Sequence, residues 1–321
     1  MSWRIVYVTY GSPEEEKREV LRLLGLWGDG DPLWLKAFRS RLEGPWMDEV
    51  YGLAGAFAEG RCVGTTAYTI SGRGQGILSG VFTDPEFRRR GIGTATLGAA
   101  VEAFRRHGAR AVYLAAWVEW TRDMYRGVGF VRVGTMGERH AFKLTLDSSG
   151  EDGCLFRSDQ RTRIRPMGIG DQADLSALFN ARACVVKHYE RGCFLGSHFE
   201  PEFYVLRDGV DHAGIRAIVL DGEETILGFG TVVPSPRRHE GHTGILDLLV
   251  HPNYAGWTDE MIGRLEEDCG RERLSVVLAD SEEEKHRAFE RAGYRKVARF
   301  ERQLKVGSRY YDLTMYGKDV T

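Results

Sequence analysis

Cysteine and proline are scarce, long apolar runs are missing, and neither sign of charge dominates. The 321 residues hold five cysteines and nine prolines. Cys62, Cys154, Cys184, Cys193 and Cys269 are odd in number, scattered, and never spaced C-x-x-C. That argues against a disulfide framework or a cysteine-rich zinc site and fits a reducing cytoplasm. No run of about 18 consecutive apolar residues occurs, so no membrane-spanning helix is expected. The start, Met1-Ser2-Trp3-Arg4-Ile5, runs straight into strand-like sequence and lacks the apolar core of a signal peptide. Lys and Arg total 44 against 46 Asp and Glu, a net charge of −2. No overall basic field is therefore on offer to nucleic acid or an anionic membrane.

What is present is globular. Hydrophobic residues make up 42% and charged residues 28%, too apolar a mixture for disorder. At roughly 150 residues per domain the length suggests about two domains, or one large one. Forty glycines point to frequent turns and to backbone that approaches a ligand closely.

The patterning predicts a strand over 3–10 and then a helix to about Trp27, with Ser12 as its cap, Pro13 in first position and Glu15 completing a capping box. A second helix starts at Asp31-Pro32 and ends near Gly44-Pro45. Strands follow over 50–58, 62–71 and 77–83, the first two joined by a hairpin turn at Glu59-Gly60. A helix over 91–107 stops at Gly108, then come a strand over 111–116, a short helix over 121–126 and strands over 130–136 and 140–146. The polar stretch around Ser148-Ser149-Gly150-Glu151-Asp152-Gly153 reads as a linker. The pattern then restarts with a strand over 162–166 and a helix over 171–183. A hairpin (216–220, 225–233), a strand (245–250), a helix (258–269), a strand (275–279), a helix (282–291) and two last strands (294–304, 309–315) complete it.

This is a duplication at domain scale. Val81-Phe82-Thr83-Asp84-Pro85-Glu86-Phe87 corresponds to Leu248-Leu249-Val250-His251-Pro252-Asn253-Tyr254, and Tyr125-Arg126-Gly127-Val128-Gly129-Phe130 to Phe289-Glu290-Arg291-Ala292-Gly293-Tyr294. The offsets, 167 and 164 residues, describe one repeat with a small deletion.

The segment richest in chemistry is Pro85-Glu86-Phe87-Arg88-Arg89-Arg90-Gly91-Ile92-Gly93-Thr94, between a strand and a helix. A helix N-terminus presents unpaired amides and the positive end of the helix dipole. Gly91 and Gly93 leave room for an anion to reach that backbone, and three arginines add charge beside it. The result is a pyrophosphate cradle. It is not a nucleotide P-loop, since no Gly-Lys-Ser/Thr follows, nor a G-x-G-x-x-G dinucleotide turn.

Here the sequence resembles the GNAT superfamily of acetyl-coenzyme-A-dependent N-acyltransferases. The family's signature, Arg/Gln-x-x-Gly-x-Gly/Ala after a strand and opening a helix, is matched by Arg88-x-x-Gly91-x-Gly93, and Val81-x-x-x-Pro85-Glu86-Phe87 leads into it in the family's manner. The resemblance implies an α+β fold of two tandem GNAT domains, each a mixed, mostly antiparallel sheet flanked by helices. It implies that the backbone of Val81, Phe82 and Thr83 bonds the pantetheine arm like an added strand, and that amides from Arg89 to Thr94 hold the pyrophosphate. It also implies that Tyr125, in Tyr125-x-x-x-Gly129-Phe130, protonates the departing thiolate. A phenol with a reference pKa of about 10 still carries that proton at neutral pH. The family often has Asn seven residues before this tyrosine. Val118 stands there, so the cofactor arm would be held differently.

An attacking amine must be neutral, so a base or a water must take its proton. Glu119, just after the apolar strand, is the first candidate, with a solvated charge at a strand end as the plainer reading. Glu86 belongs to the approach to the phosphate turn. In the second half Ala255, Thr258 and Glu260 replace Arg88, Gly91 and Gly93, Asp259 joins Glu260 at the helix start, and Phe289 replaces Tyr125. Two carboxylates at that helix start repel a pyrophosphate.

The domains read as 1–147, an intact acetyl-coenzyme-A module, and 162–321, a degenerate repeat without coenzyme, joined by 148–161. The implied activity is acetyl transfer to a primary amine of a small molecule or peptide by direct attack in a ternary complex, with no metal, nucleic acid or membrane involved. The rival reading is an acyl-coenzyme-A sensor or scaffold without transfer. Lys187-His188-Tyr189, His198, His239-Glu240-x-His242 and His251 enrich the second half in histidine without a recognised metal motif, and Pro236-Arg237-Arg238-His239 is a basic loop tip. Trp27, Trp34 and Trp46 lie in helices that border the acceptor cleft in this family, with core packing as the default.

Overall fold

Alternating apolar residues and closely spaced turn signals build strands first, and helices cover them. The computed structural model describes residues 2–27, 32–44, 49–116, 118–136, 139–182, 201–306 and 308–320. Among the described residues, fourteen strands form two seven-stranded sheets, with orders β1-β2-β3-β4-β5-β7-β6 and β8-β9-β10-β11-β12-β14-β13. The first comprises β1 (Arg4–Val8), β2 (Glu49–Ala58), β3 (Arg61–Ser71), β4 (Gln75–Thr83), β5 (Ala111–Ala116), β6 (Val131–Met136) and β7 (Arg139–Thr145). The second comprises β8 (Arg163–Pro166), β9 (Arg216–Asp221), β10 (Ile226–Pro234), β11 (Thr243–Val250), β12 (Arg273–Ala279), β13 (Arg295–Val306) and β14 (Arg309–Asp319). The architecture is α+β, one topology used twice.

Among the described residues each sheet holds a single parallel pair, three residues long in both. β4 meets β5 only at Gln75↔Ala111, Gly76↔Val112 and Ile77↔Tyr113, and β11 meets β12 only at Thr243↔Arg273, Gly244↔Leu274 and Ile245↔Ser275. Beyond three residues the strands part. A parallel pair requires a crossover, supplied by α3 (Ile92–Arg106) in the first sheet and α8 (Thr258–Glu266) in the second.

The first sheet is covered on both faces. Leu97, Val101 and Phe104 of α3 pack with Leu114 and Phe142. On the other face α1 (Glu14–Leu24) and α2 (Pro32–Glu43) bury Leu23, Leu24, Phe38 and Leu42 against Leu53 and Ala67. Ser12 does not cap α1. Its hydroxyl accepts from the Thr9 amide and leans back toward β1, while Pro13 takes the cap position without a side-chain bond. Three glutamates in the first turn complement the helix dipole instead. Helix α7 (Pro201–His212) was not anticipated, although Pro201 at its start and the buried Phe203 and Leu206 give it a helical stripe.

The polar stretch 148–161 is packed. It carries α5 (Asp152–Leu155), and Leu155 and Phe156 are buried in the second core, with Phe156 stacked on His251 at 4.3 Å between ring centroids. The halves meet where α6 (Gln172–Asn180) lies on the first sheet, Ala177 packing on Ala111 and Tyr113. Around this contact Arg73 pairs with Asp221 and, at 3.5 Å, with Asp174, and Arg165 forks to Asp171 and reaches Asp221 at 2.9 Å.

Asp174 is sealed between the halves, and burial pushes its carboxyl up to about 6 against the pull of Arg73. The folded chain holds that proton more tightly than the unfolded chain does. The group therefore favours folding at acid pH, and the benefit is lost as pH rises through about 6. Asp174→Asn is expected to stabilise the chain at pH 8 by on the order of 2 kcal/mol, with the advantage gone only below about pH 4. Denaturant unfolding at the two pH values checks this. A variant less stable at pH 8 would mean that pairing with Arg73 outweighs desolvation.

Candidate active site

The site is built where β4 and β5 part. Among the described residues, β4 from Leu78 to Thr83 has no strand partner on its β5 side, so one edge of backbone groups is left for water or a ligand. On its other side β4 carries a bulge, since Thr65 faces Phe82 and Ala67 faces Ser79, one extra residue on β4. Gly80 permits it. Its φ of +54° is left-handed, and a Cβ there would meet Phe38 at 3.3 Å and Ala67 at 3.4 Å. The Thr65 hydroxyl donates to the Gly80 carbonyl at 2.9 Å.

From Thr83 the chain turns through a short 3-10 segment to α3. Asp84, buried and paired with Arg61 at 2.9 Å, accepts the Glu86 amide and fixes the turn. Gly91 caps α3 at φ +76°, and the Ala95 amide donates to its carbonyl. The amides of Ile92, Gly93 and Thr94 precede the first bond within the helix and point out of its end. A Cβ on Gly93 would lie 3.5 Å from the Thr83 hydroxyl and 3.8 Å from the Met124 sulfur. The end of β4, the start of α3 and α4 (Glu119–Gly127) thus converge on a glycine-lined gap. Donor set and free space fit a pyrophosphate with an extended arm.

The three arginines are exposed and arranged differently. Arg88 lies over the Phe82 ring and donates to the Thr83 carbonyl, Arg90 lies over Phe87 and donates to the Glu86 carbonyl, and Arg89 adopts φ +61°. Val81, Phe82 and Thr83 are half-buried and Thr94 is exposed. Ile92 brings only its backbone to the gap, because its side chain is buried against Ala56, Ala58 and Val63.

Tyr125 is 6% exposed, its ring 6.1 Å from Phe130 and 6.3 Å from Phe142. Glu119 is exposed in the first turn of α4, following the exposed cap Val118. The structure adds His140, which the sequence reading passed over. It lies on β7 opposite Ala116, the last residue of β5, and its Nδ1 is buried without a partner among the described residues. Desolvation and the charges of Arg132, Arg122 and Arg126 lower its pKa, with Glu119 opposing them. Alternation placed His140 on the Phe142 face, but only the strand pairing brings it to the end of β5.

In the second half side-chain bonds gather at the corresponding helix start and strand end. Arg291, on α9 (Glu283–Arg291), forks onto Asp259 in the first turn of α8 at 2.8–3.1 Å. His286 bonds Tyr316 through Nδ1 at 2.8 Å and the Ala279 carbonyl, at the end of β12, through Nε2 at 2.9 Å. β10 and β11 run in continuous register, with Asp247 where Gly80 makes its bulge.

Other residues singled out in the sequence stand apart from the gap. Trp27 is half-buried against the core under α1 and α2. The Trp34 side chain, Trp46, Cys184, Cys193, His188 and His198 lie outside the described residues. His239 and His242 occupy the β10–β11 connection, where no group of three metal-ligating side chains forms among the described residues. Burial pushes the Cys62 thiol up to about 12, which leaves it inert as a nucleophile.

The start of α3 is seated by a missing side chain on β3. A Cβ on Gly64 would lie 2.3 Å from Ile92 Cγ2. Gly64→Ala is expected to cost about 1–3 kcal/mol by forcing the helix start off the sheet. Denaturant unfolding measures this, and an unchanged midpoint would mean that Ile92 turns aside freely.

Residues 24–130 match the model of the acetyltransferase (GNAT) family. No curated protein matches. Among solved structures, the GNAT-family acetyltransferase from Streptococcus pneumoniae is 16% identical, covering 50% of this chain and 100% of that one, with a TM-score of 0.43. The ribosomal-protein-alanine N-acetyltransferase from Brucella melitensis is 17% identical, covering 49% and 99%, at 0.41. The protein yncA from Salmonella typhimurium, solved with its cofactor acetyl-CoA, is 14% identical, covering 50% and 94%, at 0.43. The family match runs from the end of α1 to just past α4, and within it the parted strands lead into the glycine-opened helix; residues 24–130 thus carry the acetyltransferase (GNAT) family pattern, and the second sheet repeats the strand order of the first.

Proposed function

We propose that the first domain moves an acetyl group from acetyl-CoA to a primary amine of a small molecule or peptide, by direct attack in a ternary complex. The observation that carries this reading is the gap itself, an unpaired β4 edge leading to helix amides over two glycines. Acetyl-CoA supplies the activated acyl group. The backbone of Val81, Phe82 and Thr83 would hold the arm as an added strand, and amides from Arg89 to Thr94 would hold the pyrophosphate with Arg88 and Arg90 beside them. Free amides of β4 at the split polarise the thioester carbonyl. The C–N bond forms as the C–S bond breaks. Glu119 takes the amine proton, directly or through water, and Tyr125 gives its proton to the leaving sulfur.

The second domain, on this reading, takes no coenzyme. What supports this is that Glu260 and Arg291 stand where the first domain has Gly93 and Gly127, with Asp259 and Arg291 paired beside the start of α8. Calorimetric titration with acetyl-CoA is expected to give one site per chain. Gly93→Asp sets a carboxylate facing the pyrophosphate and should weaken binding about a hundredfold or more. Two sites, or undiminished affinity in Gly93→Asp, would overturn the assignment.

Burial of Tyr125 favours one rival, an acyl-CoA-binding protein without transfer. The readings separate on Tyr125→Phe. Transfer chemistry predicts that steady-state thiol release with an accepted amine falls roughly a hundredfold, with acetyl-CoA affinity kept. Equal turnover in the variant would remove Tyr125 from the mechanism.

A further inference from the structure

One buried side chain ties the second domain to the helix that packs on the β4 bulge. Arg41, on α2, has its side chain 3% exposed, and it forks onto Glu49 of β2, whose side chain is 1% exposed, at 2.7 and 3.3 Å. The same guanidinium donates to Gln172 Oε1 at 2.6 Å, across the boundary into α6. Its carbon lies 5.1 Å from the ring centroid of Tyr51, on β2, and 5.1 Å from that of Tyr204, on α7. Two elements of the first domain and two of the second therefore share one cation. A guanidinium suits this place because it offers planar faces to rings and a fixed fork to a carboxylate at once.

α2 transmits that hold to β4. Phe38 lies one turn before Arg41, on the same side of the helix. It is 3% exposed and sits 6.5 Å from the Tyr51 ring. Its far end lies 3.3 Å from where a Cβ on Gly80 would stand, so it packs directly on the bulge. We propose that Arg41 is a positioning residue through which the second domain presses α2 and Phe38 onto the β4 bulge, so that a half without coenzyme sets the geometry of the acetyl-transfer edge in the other half. Naming that edge as the acetyl-transfer edge rests on the function proposed above. The mechanical coupling does not.

The test is amide hydrogen exchange on the full chain without ligand, comparing wild type with Tyr204→Ala, Gln172→Ala and Tyr204→Phe. Tyr204→Ala and Gln172→Ala should speed exchange in Leu78–Thr83 about tenfold, along with that of α2, leaving the β5–β7 pairs unchanged. Tyr204→Phe keeps the ring over the guanidinium and should behave as wild type. A merely structural role for the interface would accelerate α7 and α2 and spare β4, and that pattern overturns the proposal. Titration with acetyl-CoA then separates coupling from function. Affinity should fall several-fold in Tyr204→Ala, and a looser bulge with unchanged affinity overturns control of the site. A wild-type chain that binds no acetyl-CoA sinks the proposed function, while the exchange pattern still decides the coupling.

Discussion

The site depends on a parallel pair of strands that is only three residues long. An otherwise antiparallel sheet with one parallel pair must route the chain across a helix, and the route fixes where the helix begins. β4 pairs with β5 at its start and leaves it at its end, and α3 opens at that end. The unpaired strand edge and the unpaired helix amides therefore arise side by side. Both are backbone groups that folding leaves unsatisfied, and both are costly unless water or a ligand meets them. Ligands in sheets with parallel strands collect at the carboxyl ends of the strands for the same reason.

The second sheet makes the same split and meets the cost from within. Side chains supply what a ligand would otherwise supply. Asp259 sits at the dipole end of α8 and takes Arg291 from α9, and His286 satisfies a carbonyl at the end of β12. The differences are small in the sequence, Thr258 for Gly91, Glu260 for Gly93, Arg291 for Gly127 and Asp247 for Gly80. Each puts side-chain atoms where the first half keeps backbone bare. One scaffold thus carries bare glycines at these positions in one half and side chains in the other with no change of topology.

The two halves are joined by buried charge as well as apolar surface. Arg41 and Arg73 cross the boundary to Gln172, Asp174 and Asp221, Arg165 holds Asp221 from within the second half, and Asp174 is held where water cannot reach it. Buried ion pairs stabilise poorly for their number, since desolvation offsets attraction. Their geometry is restrictive, however, and a planar fork shared by four elements admits few relative placements of the two halves. That restriction suits an interface lying behind the helix that packs on the β4 bulge.

The sequence alone determined the repeat, the sheet-forming segments and the glycine-opened turn before α3, because these depend on short-range patterning. Glycine at 91 and 93, arginine before it and a strand leading in are local features, and so is their loss in the second half. Helix α7 escaped because no capping signal beyond Pro201 distinguished it, and the Ser12 cap failed because β1 offered its hydroxyl nearer partners. Tertiary structure decided the rest. Where β4 parts from β5, how Gly80 bulges, that His140 stands at the end of β5 and that Arg41 ties the halves all follow from pairing between segments far apart in the chain. Such contacts leave no periodicity in either partner. Their energies come from geometry that exists only once both partners are in place.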